Sequence, residues 1–255
     1  TSVIGGDEIT VGIIYRNSRV VPVGNAVTTA SGAFADRNRQ PLLQSFRRVN
    51  SGDIFSVVVN HFKSKGSCPT DGSNNEDQGD GQSCWNPVRV AAAQDLAAWI
   101  NSNPTGHVDG DVVIIGDLNA YAKEDPIQTL ETLGYTNLIS QSVGNNAAYS
   151  YVFNAESGYL DHALAKAGFA AKVQQVAELH INADEPRALD YNVEFKSAAQ
   201  VSSFYSADAY RSSDHDPLLL DYLPVELAGD LDRDGDVDSA DASLLKQRLN
   251  TTATG

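Results

Sequence analysis

Val112 to Ala120 reads VVIIGDLNA. Four β-branched residues in a row, broken by Gly116-Asp117, predict a short strand buried on both faces that delivers a polar cluster at its end. Ile54 to His61 (IFSVVVNH) repeats the design, between a Ser-Gly-Asp turn and the loop Lys63-Ser64-Lys65-Gly66. Ile9 to Tyr15 (ITVGIIY), Leu160 to Leu164, Val173 to His180 and Pro217 to Leu220 are further strand candidates, and Val20 to Val23 continues the first after a turn. Pro87 to Ile100 spaces Val90, Ala93, Leu96, Ala97 and Ile100 at helical intervals, with Asn86 as N-cap and Pro87 at the first helical position. Pro126 to Leu133 reads as a short helix closed by Gly134. Continuous apolar strands interleaved with helices imply an α/β or α+β layered domain, its sheets covered by helices.

Composition allows such a core. The chain has 255 residues, 42% of them hydrophobic. No apolar run approaches the length of a membrane span. Met is absent, so the chain is expected to be a processed or truncated piece of a longer precursor. The net charge of -15 argues against binding nucleic acid or anionic membrane through overall charge. It leaves room for a metal-dependent enzyme, whose site needs clustered carboxylates. The acid is concentrated near the end. From Pro224 onward seven Asp/Glu face Arg233, Lys246 and Arg248, a net of -4 that leaves -11 on the rest. A boundary at Pro224 therefore separates 1–223 from 224–255.

Cys68 and Cys84 bracket PTDGSNNEDQGDGQS, a loop with no apolar periodicity to order it. Pairing them would restrict the loop by roughly 3 kcal/mol in the loop-entropy model. That favours a disulfide and an oxidising, extracellular compartment over two free thiols. The spacing does not suit a zinc site.

The chemistry is carried by polar clusters at strand ends: Asn60-His61, Gly116-Asp117-Leu118-Asn119, Tyr159-Leu160-Asp161-His162 and Ser212-Ser213-Asp214-His215-Asp216-Pro217. Singly, each has an ordinary explanation. His61 could be a rim histidine, Asp117 and Asn119 turn caps, and Asp214 to Asp216 a solvated loop. Asp161 is harder to dismiss, because a carboxylate inside an apolar strand needs a His or a cation beside it. Together they meet the demands of phosphodiester hydrolysis: a group to take a proton from water, one to protonate the leaving oxygen, and carboxylates to hold a cation against the phosphate.

NHFKSKG, IGDLNAY, GYLDHAL and SSDHDPL, in that order, resemble the endonuclease/exonuclease/phosphatase superfamily, and most of all its bacterial secreted nucleases of the ExeM type. The resemblance runs from about Asp7 to Leu223. It implies a four-layered sandwich of two β-sheets flanked by helices, with the site at one end of the sheets. It implies catalytic roles for His61, Asp117, Asp161 and His215, with Asp161 orienting His215 and Asp117 activating water. Tyr15, Arg39 and Asn119 would contact phosphate. Asp214 would be a metal-site carboxylate, with Asp117 and Asn119 as further donors, for Mg²⁺ or Mn²⁺, with Ca²⁺ a third candidate. The family opens with strands carrying an Asn and a Glu of the main metal site. This sequence starts after them, so the expected domain is N-terminally incomplete. Lys63, Lys65, Arg37, Arg39, Arg47 and Arg48 are candidates for a basic rim facing DNA. The alternatives are the same fold acting on another phosphodiester, such as phospholipid head groups, or a non-catalytic calcium-stabilised binding fragment.

Asp230 to Asp241 (DLDRDGDVDSAD) has the register of an EF-hand loop. Asp230, Asp232, Asp234, Asp238 and Asp241 fall at side-chain ligand positions. Gly235 sits at the sharp turn, and Asp236 at the carbonyl position. Ala242 to Leu249 would be the helix that follows. Asp at the last position and no clear entering helix make it resemble a dockerin repeat, with Ca²⁺ as ligand and a cohesin-like protein as the candidate partner. Dockerins carry two such repeats and this sequence has one.

Overall fold

A computed structural model describes residues 4–7, 9–108, 110–223, 229, 231 and 237–252. Ten strands and six α-helices are described. The strands are β1 (Val20–Thr28), β2 (Leu42–Arg48), β3 (Ile54–His61), β4 (Val112–Asp117), β5 (Thr136–Asn137), β6 (Tyr151–Phe153), β7 (Glu156–Gly158), β8 (Asp161–Ala165), β9 (Val173–Glu178) and β10 (Leu218–Tyr222). The helices are α1 (Asn86–Asn101), α2 (Asp125–Thr132), α3 (Leu138–Ser142), α4 (Ala167–Ala170), α5 (Ala198–Phe204) and α6 (Ser239–Thr252).

Six strands form one mixed sheet in the order β1-β2-β3-β4-β8-β5. β3 and β4 are its parallel pair, and α1 is the helix between them. Side chains alternate across this sheet, as a pleat requires. Val58 and Ile114 enter a core with Leu96, Ala97 and Ile100 of α1 and Ile127 and Leu130 of α2. Val57, Val113 and Ile115 point to the other face, where they pack with Val176 of β9, Leu218 and Leu220 of β10, and Phe169 of α4. β9 and β10 pair antiparallel as a second sheet. The layers therefore run from α1 and α2 through the large sheet to the small one. The expected packing of two sheets with flanking helices is present, with two strands in the second sheet.

Three expectations change. Ile9 to Tyr15 forms no strand and joins no ladder among the described residues, and Ile14 is wholly exposed. β-branched residues favour a strand only where a neighbour offers backbone partners. Helix α1 starts one residue earlier than expected: Asn86 is its first residue and Trp85 its cap, at a left-handed φ of 65°. The expected helix from Ala242 begins at Ser239.

Cys68 and Cys84 are disulfide-bonded, their Cα atoms 5.4 Å apart. Arg89, fully buried in α1, ties this loop to the end of β3. Its guanidinium donates to the carbonyls of Cys84 and Gln82, both at 2.9 Å, and of Lys63 at 3.3 Å. Of the calcium-loop residues, Asp230, Asp232, Asp234 and Asp236 lie outside the described residues. Asp238 and Asp241 are described. The buried Asp241 carboxylate accepts the backbone N–H of Leu231 at 2.5 Å and of Asp238 at 2.8 Å.

Candidate active site

The site is assembled by strand register. In the parallel pair His61 stands opposite Asp117, and in the antiparallel pair Asp117 stands opposite Asp161. Three adjacent strands thus place His61, Asp117 and Asp161 in one row across the end of the sheet. Gly116 makes the close approach possible. Its φ is 121°, and a Cβ there would lie 2.1 Å from the Asn60 carbonyl oxygen.

Asp117 is fixed from within its own turn. Oδ1 accepts the Asn119 N–H at 2.7 Å, and Oδ2 accepts the Asn119 side-chain amide at 2.9 Å. Nε2 of His61 is 3.4 Å from Oδ2. Asn119 sits at a left-handed φ of 48°, a conformation Asn tolerates. Its side-chain nitrogen also donates to the Phe62 carbonyl at 3.1 Å. The donor expected to meet a phosphate is therefore already engaged within the protein.

His215 arrives on the loop before β10. Its Nδ1 is 2.6 Å from Oδ2 of Asp161, the same oxygen that accepts the Ser150 hydroxyl at 2.6 Å. The Tyr151 ring lies against the imidazole, with centroids 4.6 Å apart.

Burial and charge divide these groups. Burial pushes the Asp117 carboxyl up to about 7, and the nearby Asp161 and Asp214 carboxylates add to it. Burial, with the Arg39 and His215 charges, pushes His61 down to about 4. For His215 burial acts downward, but the hydrogen bond and charge of Asp161 outweigh it and raise the imidazole to about 9. The row thus holds a neutral His61 near a charged His215, with a carboxyl poised near neutrality between them.

Asp214 is exposed beside this group and acts on Asp117 and His215 through its charge. Arg39 reaches the site from the β1–β2 connection. Its N–H donates to the His61 carbonyl at 3.3 Å, and its guanidinium pairs with Asp7 at 3.0 Å. Tyr15 is not brought in. Its ring packs on Phe46 at 5.1 Å, and Phe46 stands opposite Phe55. Phe55 lies six residues before His61 in β3, about 20 Å along the strand.

Ser150 and Asn182 hold the site without any motif in the sequence to mark them, and Asp216, a member of the Ser212–Pro217 cluster, holds the loop in place. Asp216 is buried and accepts three backbone N–H groups on Oδ1, from Ile181 (3.1 Å), Asn182 (2.8 Å) and Ala183 (3.0 Å). Its Oδ2 meets His180 Nδ1 at 2.9 Å. Asn182 returns the tie, donating to the His215 carbonyl at 2.7 Å and accepting the Ser212 N–H at 3.1 Å. The Asp216 N–H donates to the Ser150 carbonyl at 2.8 Å. The loop that carries His215 is therefore fastened on both sides. The second Asp of SDHDP was the one available signal.

Asp117, Asp214 and the Asn119 amide oxygen are hard donors of the kind Mg²⁺ and Mn²⁺ take. The upward pressure on Asp117 is a load that a dication would relieve. Among the described residues no three His, Cys, Asp or Glu side chains converge closely enough to enclose a metal, so these donors would form part of a shell.

No family model and no curated protein matches the chain. Solved structures do. A functionally unknown conserved protein from Enterococcus faecalis V583 is 16% identical, with a TM-score of 0.51 over 82% of this chain and 69% of that one. It shares the fold. The human Nocturnin catalytic domain, solved with a bound sulfate anion, is 17% identical at a TM-score of 0.43, over 63% of this chain and 51% of its own. The Neisseria 3′ phosphatase NExo, solved with a product DNA hairpin, is 15% identical at 0.46, over 79% and 71%. An endonuclease/exonuclease/phosphatase family protein from Bacteroides thetaiotaomicron is 14% identical at a TM-score of 0.46, over 65% of this chain and 56% of that one. The chain spans about half the length of the Nocturnin domain.

Proposed function

We propose that this chain is the catalytic part of a secreted phosphodiester hydrolase acting on DNA. The observation that carries this reading is the strand-end row His61–Asp117–Asp161 with His215 locked onto Asp161.

Water attacks the phosphorus, the bond from phosphorus to the leaving oxygen breaks, and that oxygen must gain a proton. Asp117, with His61 beside it, takes the proton from water. His215, kept charged by Asp161, offsets the phosphate charge and supplies the proton to the leaving oxygen. Asp161 holds a single tautomer of His215, and Ser150 holds Asp161. Mg²⁺, Mn²⁺ or Ca²⁺, bound by Asp117, Asp214 and the Asn119 oxygen, would neutralise charge on the phosphate.

The disulfide supports an extracellular location, because such bonds persist where the medium oxidises. For the C-terminal segment we infer a Ca²⁺-binding loop closed by Asp241, with a cohesin-like protein as candidate partner. Its support is the loop register and the backbone caps on Asp241.

The test is degradation of plasmid DNA in Mg²⁺ or Mn²⁺. The reading expects loss of cleavage with EDTA and in His215→Ala. Full activity in either condition overturns it.

A further inference from the structure

Most cations near the site have partners. Arg89 is fully buried and donates to three carbonyls through its terminal nitrogens, Lys65 meets Glu124 at 2.5 Å, and Arg39 pairs with Asp7. Two others are placed differently. The Arg37 guanidinium lies 4.8 Å from the centroid of the Trp85 ring, and the Lys63 ammonium 5.2 Å from it. Trp85 is the left-handed cap of α1, and its indole N–H is fixed by the carbonyls of Gly66 and Ser67, both at 3.1 Å. The ring is thus a rigid platform carrying two positive charges. Among the described residues Lys63 makes no ion pair. Its ammonium donates to the Ser64 carbonyl at 3.2 Å, the Ser64 hydroxyl at 3.1 Å and the Gly66 carbonyl at 3.4 Å, neutral partners that leave its charge uncancelled. Among the described residues Arg37 pairs only with Asp36, its neighbour in sequence, across a well-exposed contact worth little.

The platform adjoins the catalytic row. The Lys63 N–H donates to the Asn38 side chain at 2.9 Å, and the Arg39 N–H to the His61 carbonyl at 3.3 Å. Segments 37–39 and 61–63 are thereby stitched together. Lys63 lies two residues beyond His61, about 7 Å along an extended chain and close to the stride of one nucleotide. Burial, and then the charges of Arg89, Arg37 and Arg39, hold the Lys63 ammonium below its ordinary value. An anion would relieve that crowding. The chain as a whole carries -15, so overall charge repels a polyanion and a local cluster of this kind offsets that repulsion.

We propose that Arg37 and Lys63, presented over Trp85, bind a phosphate that flanks the one being cleaved, so that the enzyme grips a nucleic-acid strand at more than one phosphate. This rests on the hydrolase reading and narrows it, since an isolated phosphodiester has nothing to place there.

The test is binding of a short fluorescent single-stranded oligonucleotide across a salt series, measured by anisotropy in the full chain carrying His215→Ala. Adding Arg37→Gln and Lys63→Gln is expected to weaken binding about tenfold at low salt and to make the slope of log K against log salt shallower by about 1. Arg37→Lys with Lys63→Arg should keep the slope. Should the Gln pair perturb folding, Arg37→Gln alone must still flatten it, because Arg37 is half exposed. An unchanged slope and affinity in a folded variant overturns the proposal, as does a parent chain that binds no oligonucleotide. A parent chain with native His215 that hydrolyses neither the oligonucleotide nor bis(p-nitrophenyl) phosphate overturns the hydrolase reading instead.

Discussion

His215 places Nδ1 2.6 Å from Oδ2 of Asp161, and the charge of that carboxylate is what keeps the imidazole protonated near neutrality against its burial. Asp161→Asn keeps the shape and removes the charge. We expect kcat to fall by roughly 100- to 10,000-fold, the range typical of a lost acid–base group, with KM little altered. Steady-state kinetics on a soluble phosphodiester check this. A kcat within threefold or so of the parent would mean that His215 does not depend on its partner.

Asn182 touches the catalytic loop without facing the reacting atoms, so it is a positioning residue. Asn182→Ala frees the His215 carbonyl and the Ser212 N–H. We expect kcat per folded molecule to drop while KM holds, because the imidazole loses its fixed approach. A purely structural role would lower the melting temperature and leave kcat of the remaining folded protein intact. Asp216→Ala strands three buried N–H groups and should cost about 3 kcal/mol or more of stability, read from urea unfolding.

His162 is wholly buried, and Nε2 donates to the Ala120 carbonyl at 2.7 Å while Nδ1 has no partner among the described residues. Burial pushes its pKa from 6.5 down to about 4. The unfolded chain therefore binds a proton that the folded chain refuses. Its contribution is fully present above pH 6.5 and is lost as pH falls from there toward 4, a span on the order of 3 kcal/mol. Urea midpoints measured across that window should fall with pH, and His162→Gln should flatten the fall. Parallel curves for the two proteins would contradict the assignment.

The disulfide joins two cysteines 16 positions apart in sequence. Reduction should remove about 3 kcal/mol of loop-closure stabilisation. Thermal melts with and without dithiothreitol measure it. An unchanged melting temperature would show that Arg89 and its three carbonyl partners hold the loop unaided.

The strand-end row is legible in the sequence because each member ends or begins an apolar run. His61, Asp117 and Asp161 had to emerge at strand ends once VVII, IFSVVV and the stretch around Leu160 were read as strands. Their exact alignment was not legible, since register is set by pairing between strands far apart in sequence. Tyr15 misled because ITVGIIY has strand composition but finds no neighbouring strand among the described residues. Ser150 and Asn182 leave no local trace. Their roles arise where loops far apart in sequence meet, and Asn in a polar loop has no distinguishing pattern.

The most direct test of the central claim is hydrolysis of bis(p-nitrophenyl) phosphate in heavy-oxygen water with Mn²⁺, comparing the native chain with His215→Ala. Attack by water predicts one heavy oxygen in the phosphate product and a rate at least about 100-fold lower in the variant. A variant as fast as the parent, or product without the label, would contradict the account.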